Sequence, residues 1–154
     1  MGAMPDPARP PLLTGPEDDF IRTLVRTFVA LPRALDADLR RDEGLTSSEY
    51  FVLLYLDEAP GGRLRMGELA AATALSLSAT TRVVGLLEGA GLVERRRSAE
   101  DGRGSDAVLT PRGRERFLAA WPAHVANLRR HVFDRLDDVE LEHCTAALRR
   151  IADH

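Results

Sequence analysis

The sequence predicts a mainly α-helical fold of the α+β class, with about six helices and one β-hairpin. Apolar residues recur every three or four positions along most of the chain, which is the period of an amphipathic helix. Two short segments rich in Val and Leu flank a polar, Gly-containing loop, a pattern typical of a hairpin. Hydrophobic residues make up 44% of the 154 residues and aromatic residues only 5%, so we expect a core of Leu, Val and Ala.

The N-terminal part of the chain combines an irregular segment with a long helix. Residues 1–16 are rich in Pro and small side chains and are expected to be disordered. Residues 17–41 form an amphipathic helix, in which Pro32 is expected to cause a kink or a break. Thr46 and Glu49 then form a capping box that opens a second, strongly apolar helix.

The central part of the chain predicts two short helices followed by the hairpin. The first helix covers about Met66–Thr73, and the second follows Ser76, whose hydroxyl can cap it, and ends at Gly89. Residues 92–97 and 107–110 have the composition of strands, and the polar loop between them is a predicted wing.

The C-terminal part predicts two further amphipathic helices. Pro111 suits the first position of a long helix, and Asp137 with Glu140 caps the last one. We expect a single domain over residues 17–154, with a central lobe at 45–114 that contains the two short helices and the hairpin. The remaining segments, 17–41 and 115–154, carry apolar stripes that are expected to form a symmetric dimer.

Composition and motifs exclude several classes of protein. The net charge is −3, yet residues 63–116 carry ten Arg against seven acidic residues. No apolar run is long enough to cross a membrane and no signal peptide is apparent, so a cytoplasmic protein is expected. A single cysteine, Cys144, excludes an intrachain disulfide. Because no catalytic motif, cofactor loop or close zinc-ligand spacing appears, we expect neither an enzyme nor a bound cofactor or metal.

A series of short motifs in one order is the most informative feature. It comprises Leu-Ser-Leu-Ser at 75–78, Thr-Arg-Val-Val at 81–84, Leu-Glu-Gly-Ala-Gly-Leu-Val-Glu-Arg at 87–95, Asp-Gly-Arg at 101–103 and Leu-Thr-Pro-Arg-Gly at 109–113. This series resembles the multiple-antibiotic-resistance regulator (MarR) family, over roughly residues 17–153. The resemblance implies a winged helix-turn-helix homodimer, in which the lobe at 45–114 is the DNA-binding lobe. It also implies that the protein binds a pseudo-palindromic operator in double-stranded DNA and regulates transcription, with repression as the expected output.

The first turn of the second short helix supplies the expected major-groove contacts. A recognition helix needs short polar side chains and free backbone N–H groups where it meets phosphates and base edges. Arg82 can reach a phosphate or a guanine edge. The alternative is that the hydroxyl groups only cap the helix. Apolar residues of the same helix are expected to be buried, including Leu77 and Leu86. The predicted polar contacts are Ser76, Ser78, Thr80, Thr81 and Arg82.

The wing supplies the expected minor-groove and flanking contacts. Arg103 at the loop tip can enter the narrow minor groove, and the resemblance implies that Asp101 orients it. Arg95 and Arg97 are expected to contact flanking phosphates, although an arginine run is also typical of a solvated face. Gly102 and Asp106 depart from the family pattern and are expected to affect DNA affinity. A winged-helix interaction module without DNA binding is therefore the alternative function.

The resemblance also implies a small-molecule effector, for example a phenolic or lipophilic compound. The expected cleft lies between the dimer helices and the DNA-binding lobe. Its candidate lining residues are Phe28, Tyr50 and Leu54. The alternatives are that these side chains are ordinary core and that the regulator has no effector.

Overall fold

The computed structural model describes residues 13–98 and 104–153. These residues contain the predicted six helices and hairpin, together with a short first strand that was not predicted. The elements are α1 (Gly15–Glu43), α2 (Ser47–Glu58), β1 (Arg63–Arg65), α3 (Met66–Thr73), α4 (Leu77–Gly89), β2 (Val93–Arg97), β3 (Ser105–Leu109), α5 (Pro111–His131) and α6 (Asp138–Ala152). Single 3-10 turns occupy Pro60–Gly62 and Phe133–Arg135.

The chain divides into two compact units, the first ending at Ala34 and the second beginning at Leu35. The first unit contains the N-terminal turns of α1, which is not split at Pro32. Most of the predicted disordered segment, residues 1–12, lies outside the described residues. On α1 of this unit, apolar side chains at three- and four-residue intervals are exposed, among them Phe20, Val25, Phe28 and Val29.

The core of the second unit is built around α2. Its side chains Tyr50, Leu53 and Leu56 are fully buried, and they belong to one cluster with residues of α3, α4, β2 and α5. The predicted capping box opens the helix: the Glu49 N–H donates to Thr46 Oγ1 at 3.1 Å, and the Thr46 N–H donates to Glu49 Oε2 at 2.7 Å. This reciprocal cap satisfies backbone donors that the first helical turn leaves unpaired.

The sheet has three antiparallel strands in the order β1–β3–β2. Strands β2 and β3 form the predicted hairpin, and the Ser98 N–H donates to the Gly104 carbonyl oxygen at 2.9 Å just beyond the ladder. Strand β1 pairs with the other edge of β3, which places Arg65 and Arg96 opposite Asp106 on its two sides. Asp106 of the central strand is therefore flanked by an arginine on each neighbouring strand.

Helix α5 begins in close contact with the turn between α4 and β2. The Thr110 hydroxyl accepts a hydrogen bond from the Gly113 N–H at 2.9 Å and donates one to the Gly91 carbonyl oxygen at 2.8 Å. A Cβ atom at Gly113 would overlap the carbonyl oxygen of Leu92. Only glycine fits here, because the two backbones approach too closely for any side chain.

A buried carboxylate joins the last turns of α1 to the end of α5. Asp38 accepts hydrogen bonds from Arg41 at 2.7 Å and Arg130 at 2.6 Å, and its Oδ2 lies 2.7 Å from His131 Nε2. Burial alone would raise the pKa of Asp38, but these hydrogen bonds lower it to about 2. The charged form of Asp38 is thus stabilised at this junction.

Helix α6 has no buried residue. Its exposed side chains include Val139, Leu141, Leu148 and Ile151, and Cys144 is exposed with them. No single helix among the described residues is long and apolar enough to cross a membrane. The pair α3 and α4, bent by 103°, passes that test by length and composition alone.

Candidate nucleic-acid interface

The start of α4 presents two hydroxyl groups on the surface of the second unit. Ser76 is the N-cap, and its Oγ accepts a hydrogen bond from the Ala79 N–H at 3.2 Å. The hydroxyl oxygen of Ser78 lies 3.1 Å from that of Ser76. Both serines are exposed. The cap and the exposed hydroxyl surface therefore coexist, and the capping role does not remove these groups from solvent.

Thr80 departs from the prediction that it contacts DNA, because its side chain is fully buried. Its hydroxyl donates to the Ser76 carbonyl oxygen at 3.0 Å, inside the helix. The buried face of α4 consists of Thr80, Val83, Val84 and Leu87. These positions follow the spacing of three, four and seven that marks one face of a helix. The spacing of these residues along the helix thus predicts a buried Thr80, although its hydroxyl group suggests a surface position.

The same helical spacing places two leucines on the outside of α4. Leu77 is 58% exposed and Leu86 is 54% exposed, so the prediction that they are buried is wrong. Leu77 lies at the first helical position, between the two exposed serines. An apolar side chain at this place can contact the methyl group of thymine. Thr81 and Arg82, on the following turn, are exposed as predicted.

The three consecutive arginines of β2 have different surroundings. Arg95 donates from Nη2 to the Thr81 carbonyl oxygen at 2.9 Å and is therefore tied to α4. Arg96 pairs with Glu94 at 2.8 Å on the other face of the strand. Arg97 is exposed, and its side chain has no hydrogen bond or ion pair with any residue that the structure describes. The same holds for Arg82 within residues 13–98 and 104–153.

The acid that was expected to lie on the wing has a structural partner instead. Asp106 lies in β3 with its side chain only 6% exposed, and its Oδ2 is 2.5 Å from Arg63 Nη2 on β1. Its burial against Arg63 argues against the expected effect on DNA affinity. The tip residues Asp101, Gly102 and Arg103 lie outside the described residues, and their predicted roles remain predictions.

The three candidate effector residues are placed in different surroundings. Phe28 belongs to the first unit and is 65% exposed. Tyr50 belongs to the core of the second unit, stacked on His124 with ring centroids 4.4 Å apart. Burial raises the pKa of Tyr50 to about 12 and lowers the pKa of His124. Leu54 packs beside this core and is half-buried.

A cleft that the sequence did not indicate lies beside the C-terminal end of α4. Its volume is about 590 Å³ and it is lined by residues from the α1–α2 junction, α4 and the start of α5. Apolar Leu86 and Leu92 line it together with the charged side chains of Glu49, Arg112 and Glu115. The exposed Leu86 could have indicated it, had the helix face been assigned correctly.

The comparisons with known proteins agree with this geometry. Residues 43–104 match the sequence profile of the MarR family. The structure is similar to AbsC, a MarR family transcriptional regulator from Streptomyces coelicolor, with 38% identity and a TM-score of 0.86 over 94% of this chain and 97% of that one. It is also similar to Sco3205 of the same organism and family, solved in complex with DNA, with 34% identity and a TM-score of 0.86 over 94% and 91% of the two chains.

A more distant structure shares the fold. BpsR from Bordetella bronchiseptica, whose DNA binding is regulated by 6-hydroxynicotinic acid, has 21% identity and a TM-score of 0.74 over 87% of this chain and 98% of that one. No curated protein sequence matches the chain significantly. The winged helix, the exposed start of α4 and two relatives above 30% identity agree, and the chain belongs to the MarR family of DNA-binding transcriptional regulators.

Proposed function

We propose that this protein is a homodimeric repressor that places one α4 in the major groove of each half-site of a pseudo-palindromic operator. The observation that carries the proposal is the exposed start of α4, where Ser76, Ser78 and Thr81 surround Leu77. Arg82 follows them and has no side-chain partner among residues 13–98 and 104–153. Short hydroxyl side chains and an arginine at this place suit phosphate and base-edge contacts. Arg97 adds a flanking phosphate contact, and Asp101 and Arg103 are assigned to the minor groove.

Dimerisation is supported by exposed apolar side chains, which are present in both units. In the first unit, Phe20, Val25 and Phe28 are each more than half exposed. In the second unit, every residue of α6 lacks full burial, although Leu148 and Ile151 are apolar. Amphipathic helices of this kind usually bury their stripes against a second copy. A two-fold dimer then requires half-sites about one helical turn apart.

The dimer is tested by reversing the apolar character of α6. We expect Leu148→Arg with Ile151→Arg to convert the protein to a monomer in sedimentation velocity. Arg149→Glu, between them on the exposed side of the same helix, is the control and should remain dimeric. A double variant that sediments as the wild type would refute the role of α6 in the interface.

Operator binding is tested with the DNA upstream of the protein's own gene. We expect the affinity to fall steeply with salt, because neutralised phosphates release counterions. Arg82→Glu and Arg103→Glu should each weaken binding by more than about tenfold, whereas Arg129→Glu, exposed on α5, should change it little. Equal affinity for this DNA and a scrambled duplex, at every salt concentration, would contradict the choice of operator. Loss of RNA polymerase access to the bound promoter in footprinting would support repression over activation.

We further propose that a small phenolic or lipophilic effector lowers the DNA affinity. Tyr50 and Leu54 remain candidates on the core side, with Phe28 in the first unit. The cleft beside Leu86 has a volume in the range of small-molecule sites, about 300–1,000 Å³. A thermal-shift screen of phenolic and lipophilic acids tests this proposal. A compound that stabilises the protein should also release it from DNA. If this cleft is the site, Leu86→Glu should abolish the stabilisation by that compound. We also propose that the protein acts in the cytoplasm, in the same compartment as its operator DNA.

A further inference from the structure

We propose that Arg95 is a positioning residue that clamps the wing strand β2 onto the recognition helix α4 and does not contact DNA. This inference rests on the proposed DNA-binding function, but its structural part can be tested without DNA. It reassigns a residue that the sequence predicted to be a phosphate contact.

Arg95 connects β2 to two different turns of α4. Its Nη2 donates to the Thr81 carbonyl oxygen at 2.9 Å. Its backbone N–H donates to Glu88 Oε1 at 3.2 Å, and its Nε lies 3.6 Å from Glu88 Oε2. Thr81 and Glu88 are about two turns apart on the helix, and the Arg95 guanidinium lies between the carbonyl oxygen of Thr81 and the side-chain carboxylate of Glu88. Its side chain is 35% exposed, less than the 61% of its neighbour Arg96.

Glycine at position 85 makes room for this clamp. A Cβ atom built on Gly85 would lie 3.4 Å from Arg95 Nη2, in contact with the guanidinium. The methyl group of alanine would therefore meet the guanidinium in ordinary van der Waals contact, whereas a β-branched side chain would add atoms beside it. Glycine inside a helix costs about 1 kcal/mol relative to alanine, and at this position it leaves open the space through which Arg95 reaches the backbone of α4. Gly89, at the end of the same helix, has no atom within 4 Å of such a Cβ.

Side chains alternate between the two faces of β2, and the arginines on one face differ in their contacts. Arg95 and Arg97 share one face of β2, because successive side chains point to opposite faces. Arg95 uses its donors on α4, whereas Arg97, two residues nearer the wing tip, has no side-chain partner among the described residues. Arg97 is thus free to contact a phosphate, and Arg95 fixes the spacing between the helix and the wing.

The two roles are distinguished by the salt dependence of DNA binding. Arg95→Ala and Arg97→Ala each remove one charge, but only the loss of a phosphate contact lowers the slope of log K against log salt by about one. We expect Arg97→Ala to lower the slope by about one, and Arg95→Ala to leave it unchanged while weakening binding about fivefold to tenfold at every salt concentration. Arg95→Lys keeps the charge but cannot span both acceptors, so it should behave like Arg95→Ala.

Hydrogen exchange of the free protein tests the clamp itself. We expect faster exchange of the α4 amides in Arg95→Ala and in Gly85→Val, and wild-type exchange in Arg97→Ala and in the control Gly89→Val. A lower salt slope for Arg95→Ala with unchanged α4 exchange would overturn the proposal and restore Arg95 as a phosphate contact. If the wild type binds no DNA at all, the exchange experiment still decides whether the clamp exists.

Discussion

Arg63 on β1 and Asp106 on β3 form an ion pair across the sheet, with Arg63 Nη2 2.5 Å from Asp106 Oδ2. The two partners differ in exposure, since the Arg63 side chain is 43% exposed and that of Asp106 only 6%. The arginine can be hydrated without its partner, whereas the carboxylate cannot. The pair adds a side-chain contact to the backbone pairing that holds the three-residue strand β1 on the edge of the sheet.

This asymmetry predicts unequal costs for removing the two partners. Arg63→Ala leaves a buried, unpaired carboxylate, so we expect it to lower the free energy of unfolding by about 3 kcal/mol. Asp106→Asn leaves an arginine that water can reach and should cost about 1–2 kcal/mol. Urea unfolding of both variants measures the difference. Equal costs would mean that the carboxylate is better hydrated than its burial indicates.

The same pair predicts that Asp106 does not set the DNA affinity of the wing. Asp106→Asn should bind the operator no more tightly than the wild type once both are fully folded, because the acid faces Arg63 and not the wing surface. Fluorescence anisotropy at low temperature makes the comparison. An affinity gain of tenfold or more would show that the carboxylate does repel DNA.

Ser76 allows the capping of α4 to be separated from DNA binding. Aspartate is as good an N-cap as serine, so Ser76→Asp should keep the stability of the protein. The added negative charge would oppose phosphates at the start of α4, and we expect the DNA affinity to fall more than about tenfold. Ser76→Ala is the matched variant: it should lose about 1 kcal/mol of stability and less affinity. Wild-type binding by Ser76→Asp would remove this residue from the interface.

Asp38 predicts a stability change at acid pH. Its pKa in the folded protein, about 2, lies below the ordinary aspartate value of 3.8, so the carboxylate contributes stability above pH 3.8 and loses that contribution as the pH falls towards 2. We expect about 1–2 kcal/mol at neutral pH, discounted because Arg41 and Arg130 are more than half exposed. The stability difference between wild type and Asp38→Asn should therefore shrink between pH 4 and pH 2. A difference that stays constant over this range would contradict the prediction.

Gly113 predicts a large effect for a small change. Gly113→Ala places a methyl group on the Leu92 carbonyl oxygen, and we expect a loss of more than about 3 kcal/mol. Gly67→Ala in α3 is the control, since no atom lies within 4 Å of its Cβ, and it should be neutral or stabilise the protein by up to about 1 kcal/mol. Thermal unfolding of the two variants tests the contrast. Similar melting temperatures would show that the backbones can separate at little cost.

The sequence predicted the elements well, because each carries a local signal. Thr46 with Glu49 marks the start of α2, and Pro111 after Thr110 marks the start of α5. Strand β1 was missed because three residues, two of them charged, have no strand pattern of their own. Their strand is defined by the pairing of Arg65 with Asp106, which is separated from it by about 40 positions along the chain.

The sequence predicts which residue types form the candidate interface better than it predicts which way their side chains point. The hydroxyl group of Thr80 alone predicts a surface position, and its burial follows only when its position on the helix is considered together with Val83, Val84 and Leu87. The run of arginines in β2 gave no sign that Arg95 and Arg97 have different partners. That difference depends on the distance between β2 and α4, and no local pattern encodes it.

The close backbone approach at Gly113 has a consequence for the proposed regulation of DNA binding. Gly113 fits against Leu92 without space for a methyl group, and Thr110 binds Gly91 beside it, so the first turn of α5 is held directly on the turn that links α4 to β2. In the proposed dimer, a displacement of this end of α5 would therefore reach the recognition helix through a direct backbone contact.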